Sequence, residues 1–487
     1  MKRSRAQAIA TTIVATAATM LAACSSSNSP VTPVTPKAKI GHVIVLFQEN
    51  RSFNVLFAGF PGALTAMSGP CATHFPDGTA ATWCKAGTNV HLQQITLEST
   101  GKPAAGTDLQ HDHAAYELEY HGGKMDGFDL VTLGTGGGQG NAKLYPYAYV
   151  ERSEVKPYWD LASSYALADH MFSTATTDSF VAHQQIVAGT TQLNSHESVV
   201  DTPSAFPWGC DASPGTATSI ITTSGKVITN GGPFPCFAYK SMADVLDAAK
   251  VSWKYYVYGD PFTSSGPDTD FSGSVWNGFD PIAKVRCAHF NAPDRCTGTG
   301  ADWKTHISEP AGNVLGDIAK GTLPQMSWVI PGLLCSDHPA SGDDKGPSWI
   351  AQVVNAVGKS KYWNDTAILI LWDDWGGFYD NVAPPQTSYT SLGMRVPLII
   401  VSPYAKSGFV SHTQYDFGSV LKFVEQTFDT DSLGTSDASA TSIVDGFDFT
   451  QKAHAFTPVA ARYQNPHCAA GATAKQIIDN DGGIVPE

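Results

Sequence analysis

Basic residues are scarce in this sequence, and charged residues of either sign are few. Charged side chains make up 15% of the 487 residues, and 30 lysines and arginines stand against 44 aspartates and glutamates, for a net charge of −14. A body this acidic repels the phosphates of nucleic acid, which argues against a general nucleic-acid-binding protein. An anionic substrate would therefore have to meet local positive charge, from a metal ion or a few placed cations.

Long hydrophobic runs are also missing. No stretch reaches the ~20 apolar residues of a membrane-spanning helix. The apolar residues 8–21 are too short for that role, and they follow three cations, Lys2, Arg3 and Arg5. This pattern predicts an export signal. The stretch ends in LAAC at residues 21–24, which resembles a bacterial lipobox.

The lipobox resemblance implies a lipoprotein with a diacylated N-terminal Cys24. It predicts a protein exported to the periplasm or cell surface and attached to the membrane by that lipid. An ordinary signal peptide cut nearby is the alternative. We expect a signal peptide at residues 1–23, a flexible Ser/Pro/Thr-rich tether at residues 24–37 and one domain at residues 38–487.

Cysteines are few, and none is arranged as C-x-x-C, so a cysteine-based zinc site is not expected. Apart from Cys24 there are eight, an even number that indicates disulfides in an exported chain. Our hypothesis pairs sequence neighbours and then the two that are left: Cys71 with Cys84, Cys210 with Cys236, Cys287 with Cys296, and Cys335 with Cys468.

Three short apolar runs predict strands that are buried on both faces: residues 40–47, 367–372 and 396–401. Helix-like stretches lie at residues 241–250, 347–357 and 418–428. The alternation predicts an α/β fold with a large, mostly parallel sheet and helices on both faces. Segments rich in Gly, Pro, Thr and Cys, at residues 63–106 and 202–300, are interpreted as disulfide-pinned loop insertions. The glycine-rich run 134–140 lacks the Lys-Ser/Thr of a P-loop and is interpreted as a flexible loop.

Polar clusters directly follow two of the predicted strands. QENRSF at residues 48–53 follows the first, and DDWGGFYD at residues 373–380 follows the second. Ligands of α/β sheets collect at the carboxyl ends of strands. The adjacent acids Asp373 and Asp374 are costly to bury unless a cation neutralises them, although acids at such positions also cap turns.

Five segments, in order, resemble the bacterial phosphoesterase family. They are HVIVLFQENRSF (residues 42–53), DLQH (108–111), GGKMDGF (122–128), SDHP (336–339) and WDDWGGFYD (372–380). The family contains phosphatidylcholine-type phospholipases C and acid phosphatases on an alkaline-phosphatase-like fold. The resemblance covers about residues 40–428, and it implies a hydrolase of phosphate esters.

The resemblance also implies a divalent metal ion held by Glu49, Asn50, Asp373 and Asp374, together with a serine or threonine nucleophile at the metal. Ser179 is the candidate, as nucleophile and as a further metal ligand. It stands in TDSFVAH (residues 177–183), where the family has Gly-Pro-Ser/Thr-x-Pro-Asn. This departure leaves open that Ser179 is an ordinary loop serine.

The histidines of matched segments are candidates for contacts with the phosphoryl group or for protonation of the leaving group. His111 and His338 are the first candidates, and His183 and His121 are secondary. His113 forms an H-x-H pattern with His111, a spacing that metal ligands could use, but a hydrogen-bonded loop histidine is more common.

Several alternatives stay open at this point. A sulfatase is one alternative, but it would need Cys/Ser-x-Pro-x-Arg at the nucleophile. Residues 179–183 lack both the proline and the arginine, which argues against it. Acid phosphatase and phospholipase C activity both fit, with a slight preference for a phosphomonoesterase. The third alternative is a catalytically inactive surface lipoprotein that uses the fold for ligand binding. Two departures from the family pattern suit it: Asn54 stands where the family has aspartate, and Phe417 where it has histidine.

Overall fold

A computed structural model describes residues 35–97, 108–133, 140–260, 269–270, 272–291, 295–339, 341, 344–386, 388–390 and 392–469. The predicted signal peptide, Cys24, most of the tether and residues 134–139 of the glycine-rich run lie outside these ranges. No helix in the described ranges has both the length and the hydrophobicity needed to cross a membrane.

The strands differ widely in length, from two residues to seven. In chain order they are β1 (His42–Gln48), β2 (Ser68–Pro70), β3 (Asn89–His91), β4 (Gln93–Ile95), β5 (Ala148–Val150), β6 (Ala166–Phe172), β7 (Gln192–Asn194), β8 (Glu197–Val200), β9 (Ser219–Thr222), β10 (Val227–Ile228), β11 (Trp253–Tyr256), β12 (Cys287–Asn291), β13 (Arg295–Thr299), β14 (Ile307–Ser308), β15 (Met326–Val329), β16 (Thr366–Trp372), β17 (Arg395–Val401) and β18 (Phe409–Ser411).

The helices lie between these strands and after them. They are α1 (Phe53–Phe57), α2 (His113–Tyr120), α3 (Lys156–Ser164), α4 (Ser179–Ala188), α5 (Met242–Ala248), α6 (Ser272–Val275), α7 (Ala283–Arg286), α8 (Ala301–His306), α9 (Asn313–Lys320), α10 (Gly346–Gly358), α11 (Phe417–Phe428) and α12 (Ser436–Ser439). Short 3₁₀ turns occur at Pro36–Ala38, His121–Gly123, Phe128–Leu130, Leu333–Cys335, Lys361–Asp365 and Ile443–Gly446.

The central sheet has eight strands in the order β14-β11-β15-β1-β16-β17-β6-β18. Among the sheet strands in the described ranges, only β17 runs against the others, antiparallel to both β16 and β6. The prediction of a large, mostly parallel sheet is confirmed. The three predicted strands are β1, β16 and β17, and the three predicted helices are α5, α10 and α11. The reversed direction of β17 was not predicted, and its cause is the connection over residues 373–394, which has no crossover helix in its described part.

Both faces of the sheet are covered. All seven residues of β16 and of β17 are buried, as are six of the seven in β1. Because successive side chains of a strand point to opposite faces, this pattern requires packing on each side. Helix α3 packs on β6 and β17, α10 packs on β16, and α11 packs on α4 and α12.

All four predicted disulfides form: Cys71–Cys84, Cys210–Cys236, Cys287–Cys296 and Cys335–Cys468. They indicate an exported protein, because such bonds persist outside reducing compartments. The segment 202–300 is not only loops, since it holds α5 and the sheet strand β11. The sequence of β11, WKYY, is too short to show a clear strand pattern.

Candidate metal centre and active site

The candidate site lies where β1 and β16 end side by side. Gln48 and Trp372 are paired in register at the last position of the two strands, so Glu49-Asn50 and Asp373-Asp374 leave the sheet at the same edge. The backbone N–H of Asn50 donates a hydrogen bond of 2.9 Å to Asp373 Oδ1. The structure therefore brings together the two polar clusters identified from the sequence, and all four side chains are fully buried.

Left-handed backbone conformations let the loop after β1 and the loop after β16 approach each other. Asn50 has φ 51° and Gly376 has φ 60°. A Cβ atom on Gly376 would lie 2.1 Å from the carbonyl oxygen of Asn50, so only glycine fits there. Asp374 Oδ1 accepts the N–H of Gly376 at 2.7 Å, which is the turn-capping contact considered from the sequence. Its other oxygen is directed at Ser179.

Ser179 is the first residue of α4 and joins this cluster from the side of β6. Its Oγ lies 3.4 Å from Asp374 Oδ2 and 3.5 Å from Asn50 Nδ2. The free N–H groups and the dipole at the start of a helix favour negative charge. A buried hydroxyl, an anion-favouring helix start and the carboxylates thus meet at one point.

His183 lies one helical turn after Ser179 and enters the same cluster. Its Nε2 atom is 3.0 Å from Glu49 Oε1 and 4.0 Å from Asp373 Oδ2. Residues four apart on a helix share a face, so the spacing from Ser179 is the sequence signal for this position. Sequence reasoning gave His183 only a secondary role.

His111 reaches the cluster from the loop before α2. Its Nδ1 contacts the carbonyl oxygen of Leu109 at 2.6 Å, so this nitrogen carries a proton. Its Nε2 lies 2.8 Å from Asn50 Nδ2 and 3.9 Å from Asp374 Oδ2. With Nδ1 protonated, Nε2 is free to accept the amide N–H of Asn50 in the neutral ring.

His338 and His113 have other partners. The Nε2 atom of His338 lies 4.0 Å from Asp108 Oδ2, and its Nδ1 contacts the Pro339 carbonyl oxygen at 2.5 Å. Asp108 begins the segment that ends in His111, which links the two histidines. His113 Nδ1 instead contacts the carbonyl oxygen of Thr176 at 2.8 Å, so the H-x-H residues turn to different neighbours.

Two buried acids near the site were not singled out from the sequence. Burial raises the pKa of Asp337 to about 6, while its Oδ2 accepts hydrogen bonds from Tyr158 (2.7 Å) and Trp372 (3.3 Å). Burial also raises the pKa of Glu119 well above its usual range, although Trp375 Nε1 donates to it. Asp337 stands in the SDHP segment, but no single-sequence pattern marks the buried environment of either acid, because these partners lie far away along the chain.

The donor set fits a divalent cation. Asn50 Oδ1 and Asp373 Oδ2 are buried oxygen atoms that accept no hydrogen bond from the residues the structure describes. Glu49, Asp373 and Asp374 add carboxylates with no solvent exposure. Carboxylate and amide oxygens are the preferred ligands of hard cations, and a bound ion would offset the cost of burying these charges.

A sequence profile described as the Phosphoesterase family matches residues 40–431. The chain belongs to this family. The match agrees with the resemblance found in the sequence, which covers about residues 40–428.

Two related proteins illustrate the relationship. The chain is 25% identical over 431 residues to a hemolytic phospholipase C of Pseudomonas aeruginosa, a match that covers 80% of this chain and 53% of that protein. It is 24% identical over 432 residues to phospholipase C B of Mycobacterium tuberculosis, covering 80% of this chain and 73% of that protein. The chain thus spans about half the length of the Pseudomonas protein.

Solved structures give more distant matches. A phosphonate monoester hydrolase from Silicibacter pomeroyi is 11% identical with a TM-score of 0.33, over 59% of this chain and 71% of that one. An alkaline phosphatase superfamily protein from Vibrio parahaemolyticus is 12% identical with a TM-score of 0.31, over 60% and 65% of the two chains.

Proposed function

We propose that this chain is a metal-dependent hydrolase of phosphate esters with Ser179 as its nucleophile. One observation carries the proposal: Ser179 Oγ stands at the start of α4, 3.4 Å from Asp374 Oδ2, in a fully buried cluster with Asn50. Membership of the Phosphoesterase family supports the reaction class. The assembled cluster gives no support to the alternative of an inactive binding lipoprotein.

The ligands proposed for the divalent ion are those expected from the sequence, namely Glu49, Asn50, Asp373, Asp374 and Ser179. The bound ion would lower the pKa of the serine hydroxyl and offset negative charge on the phosphoryl group. In this arrangement Asn50 has a second task, because its backbone N–H holds Asp373 Oδ1 while its side chain faces Ser179 and His111.

The proposed reaction has two displacements at phosphorus. Ser179 loses its hydroxyl proton to solvent and its Oγ attacks in line, so that a new O–P bond forms and the bond from phosphorus to the leaving oxygen breaks. A histidine, His111 or His338, gives that oxygen its proton. The same histidine then takes a proton from the water that attacks the phosphoserine. The bond from phosphorus to Ser179 Oγ breaks, phosphate or phosphate monoester leaves, and Oγ regains a proton from solvent. The N-terminus of α4 stabilises the negative charge of the phosphoryl group in both steps.

Two classes of substrate are proposed. The names of the relatives indicate phospholipase C activity, and the sequence gives a slight preference for a phosphomonoester or another small polar ester. We test both by hydrolysis of p-nitrophenyl phosphate and p-nitrophenylphosphorylcholine, each with and without a chelator. Chelator-sensitive turnover that Ser179→Ala and Asp373→Asn abolish is the expected result, and the better ester identifies the class. No turnover of either ester with any divalent metal would contradict the proposal.

The predicted targeting and domain organisation are retained as proposals: a signal peptide at residues 1–23, a lipid-modified Cys24 that anchors the protein to the membrane, a tether to residue 37 and one domain at residues 38–487. Cys24→Ser should release the protein from the membrane fraction of an expressing bacterium while the disulfides stay intact. Membrane association that survives this substitution contradicts a lipid anchor at Cys24.

A further inference from the structure

The environment of His183 is unusual for a histidine that serves packing alone. The side chain is 1% exposed, and its ring packs against Phe47 at 5.2 Å between centroids. Its Nε2 atom is nevertheless directed at two buried carboxylates, Glu49 at 3.0 Å and Asp373 at 4.0 Å. Both are proposed metal ligands.

The spacing of these atoms is that of ligands around one ion. Bonds of 2.0–2.3 Å place neighbouring ligands about 2.8 Å apart and opposite ligands about 4.4 Å apart. The two His183 distances lie inside this interval, and one ligand atom from each of Glu49, His183 and Asp373 lies within 4.8 Å of the other two. A hydrogen bond explains the contact with Glu49, but it does not explain the approach to Asp373 Oδ2, which accepts no hydrogen bond from any described residue.

We propose that His183 is a nitrogen ligand of the metal ion that Glu49 and Asp373 hold. The inference rests on the proposed metal centre and adds a ligand to it. The centre then has mixed oxygen and nitrogen donors, with Ser179 and His183 supplied by successive turns of one helix. Imidazole suits first-row transition ions, whereas Ca²⁺ and Mg²⁺ prefer oxygen. The centre should therefore select an ion such as Mn²⁺, Fe²⁺ or Zn²⁺.

Helix α4 explains how one element can supply both groups. The i,i+4 spacing puts Ser179 and His183 on one face, and every residue of the helix is buried, which fixes that face against the sheet edge. Ser179 approaches Asp374 while His183 approaches Glu49 and Asp373. A rotation of the helix would displace the hydroxyl and the imidazole together.

Electron spin echo envelope modulation of the Mn²⁺-loaded protein tests this inference directly, because it detects a coordinated imidazole nitrogen without any turnover. Three histidine variants accompany the wild type: His183→Gln, His111→Gln, and His412→Gln as the matched control. His412 contacts a different carboxylate, that of Asp169, at 2.9 Å. Glutamine keeps an oxygen donor at position 183, so Mn²⁺ binding should survive there in weakened form.

Nitrogen modulation is expected in the wild type, in His111→Gln and in His412→Gln, and it should vanish in His183→Gln. The Mn²⁺ affinity of His183→Gln should fall at least ~10-fold, and its preference for Mn²⁺ over Ca²⁺ should narrow. Modulation that persists in His183→Gln, or that is missing from the Mn²⁺-bound wild type, overturns the inference and leaves His183 as a hydrogen-bond donor to Glu49. A wild type that binds no Mn²⁺, Fe²⁺ or Zn²⁺ contradicts the inference, and one that binds no divalent ion at all contradicts the proposed metal centre as well.

Discussion

The backbone N–H of Asn50 donates to Asp373 Oδ1 at 2.9 Å, and this hydrogen bond joins the ends of β1 and β16. The bond uses one carboxylate oxygen and leaves Oδ2 directed into the cluster. Asn50 and Asp373, which are 323 positions apart in the chain, thus have a structural task, this hydrogen bond, and a chemical task, the proposed binding of the metal ion. The two tasks can be separated by substitutions that keep the shape of the side chain.

Asp373→Asn is the first such substitution. The amide oxygen can still accept the Asn50 N–H, so the fold should persist, but the lost charge should lower Mn²⁺ affinity at least ~10-fold and hydrolysis at least ~100-fold. Titration calorimetry and kcat/KM on the preferred ester measure the two effects. Asp429→Asn, at an exposed carboxylate that pairs with Lys37, is the control and should change neither. Unchanged metal affinity in Asp373→Asn would remove this residue from the ligand set.

Ser179→Ala should lower kcat/KM at least ~1,000-fold, because no other group on α4 would form the phosphorylated intermediate. The buried Ser327 on β15 provides the control, and Ser327→Ala should keep full activity. Acid quenching during turnover, followed by mass spectrometry, should show a phosphorylated peptide containing position 179 in the wild type alone. Phosphate found on another residue would move the nucleophile to that residue.

Substitutions of His111 and of His338 should differ in how strongly the loss of rate depends on the leaving group of the ester. Both ring nitrogens of His338 face oxygen acceptors, whereas Nε2 of His111 lies closer to the amide Nδ2 of Asn50 (2.8 Å) than to Asp374 Oδ2 (3.9 Å). We therefore expect His338 to be the proton donor. His338→Asn should slow hydrolysis of an alkyl phosphate ester by ~100-fold or more and that of a p-nitrophenyl ester much less.

His111→Asn provides the comparison for that experiment. Loss of its contact with Asn50 should slow hydrolysis of the alkyl ester and of the p-nitrophenyl ester to a similar degree. The reason is that this change disturbs the cluster and does not act on protonation of the leaving group. If instead His111→Asn shows the larger dependence on the leaving group, the two assignments must be exchanged.

Much of this fold is predictable from the sequence because its central strands are continuous apolar runs. Strands β1 and β16 are buried on both faces, and their polar residues, His42, Gln48 and Thr366, stand only at the strand ends, where they do not obscure the pattern. The metal-ligand candidates follow those strands immediately. The direction of β17 and the short strands β11 and β14 were not predictable, because strand direction and pairing depend on contacts between distant segments.

The same reason limits the prediction of the site. Glu49 and Asp373 stand in recognisable motifs, but the contact of His183 with Glu49 spans 134 positions, and its motif departs from the family pattern. Asp337 is a similar case, since its surroundings come from Tyr158 and Trp372. Burial created by tertiary packing, not local sequence, gives these side chains their chemistry.

Asp337 should make the stability of the protein depend on pH. Burial raises its pKa to about 6 in the folded state, so the folded protein holds this proton more tightly than the unfolded chain does. The resulting stabilisation is present below pH ~4 and is lost as the pH rises through ~6, with a size on the order of 3 kcal/mol. Asp337→Asn should remove this component, so the variant should gain stability over the wild type as the pH rises from 4 to 7.

Urea unfolding with intact disulfides at several pH values in this window measures the difference between Asp337→Asn and the wild type. Asp160→Asn, at a carboxylate that pairs with Lys156 on the surface of α3, is the control and should show little pH dependence of its own. A difference that stays constant across the window would mean that Asp337 has an ordinary pKa in the folded protein.

The disulfide Cys335–Cys468 should contribute to both stability and activity. It closes a sequence separation of 133 residues, against 9 for Cys287–Cys296. In the chain-entropy account the longer loop restricts the unfolded state more, by roughly 2 kcal/mol. The double variant Cys335→Ser/Cys468→Ser should therefore lose more unfolding free energy than Cys287→Ser/Cys296→Ser. Only the variant that lacks Cys335–Cys468 should also lower kcat/KM, because Cys335 lies three residues before His338. Equal losses in the two double variants would show that unfolded-state entropy does not determine the contribution of these bonds.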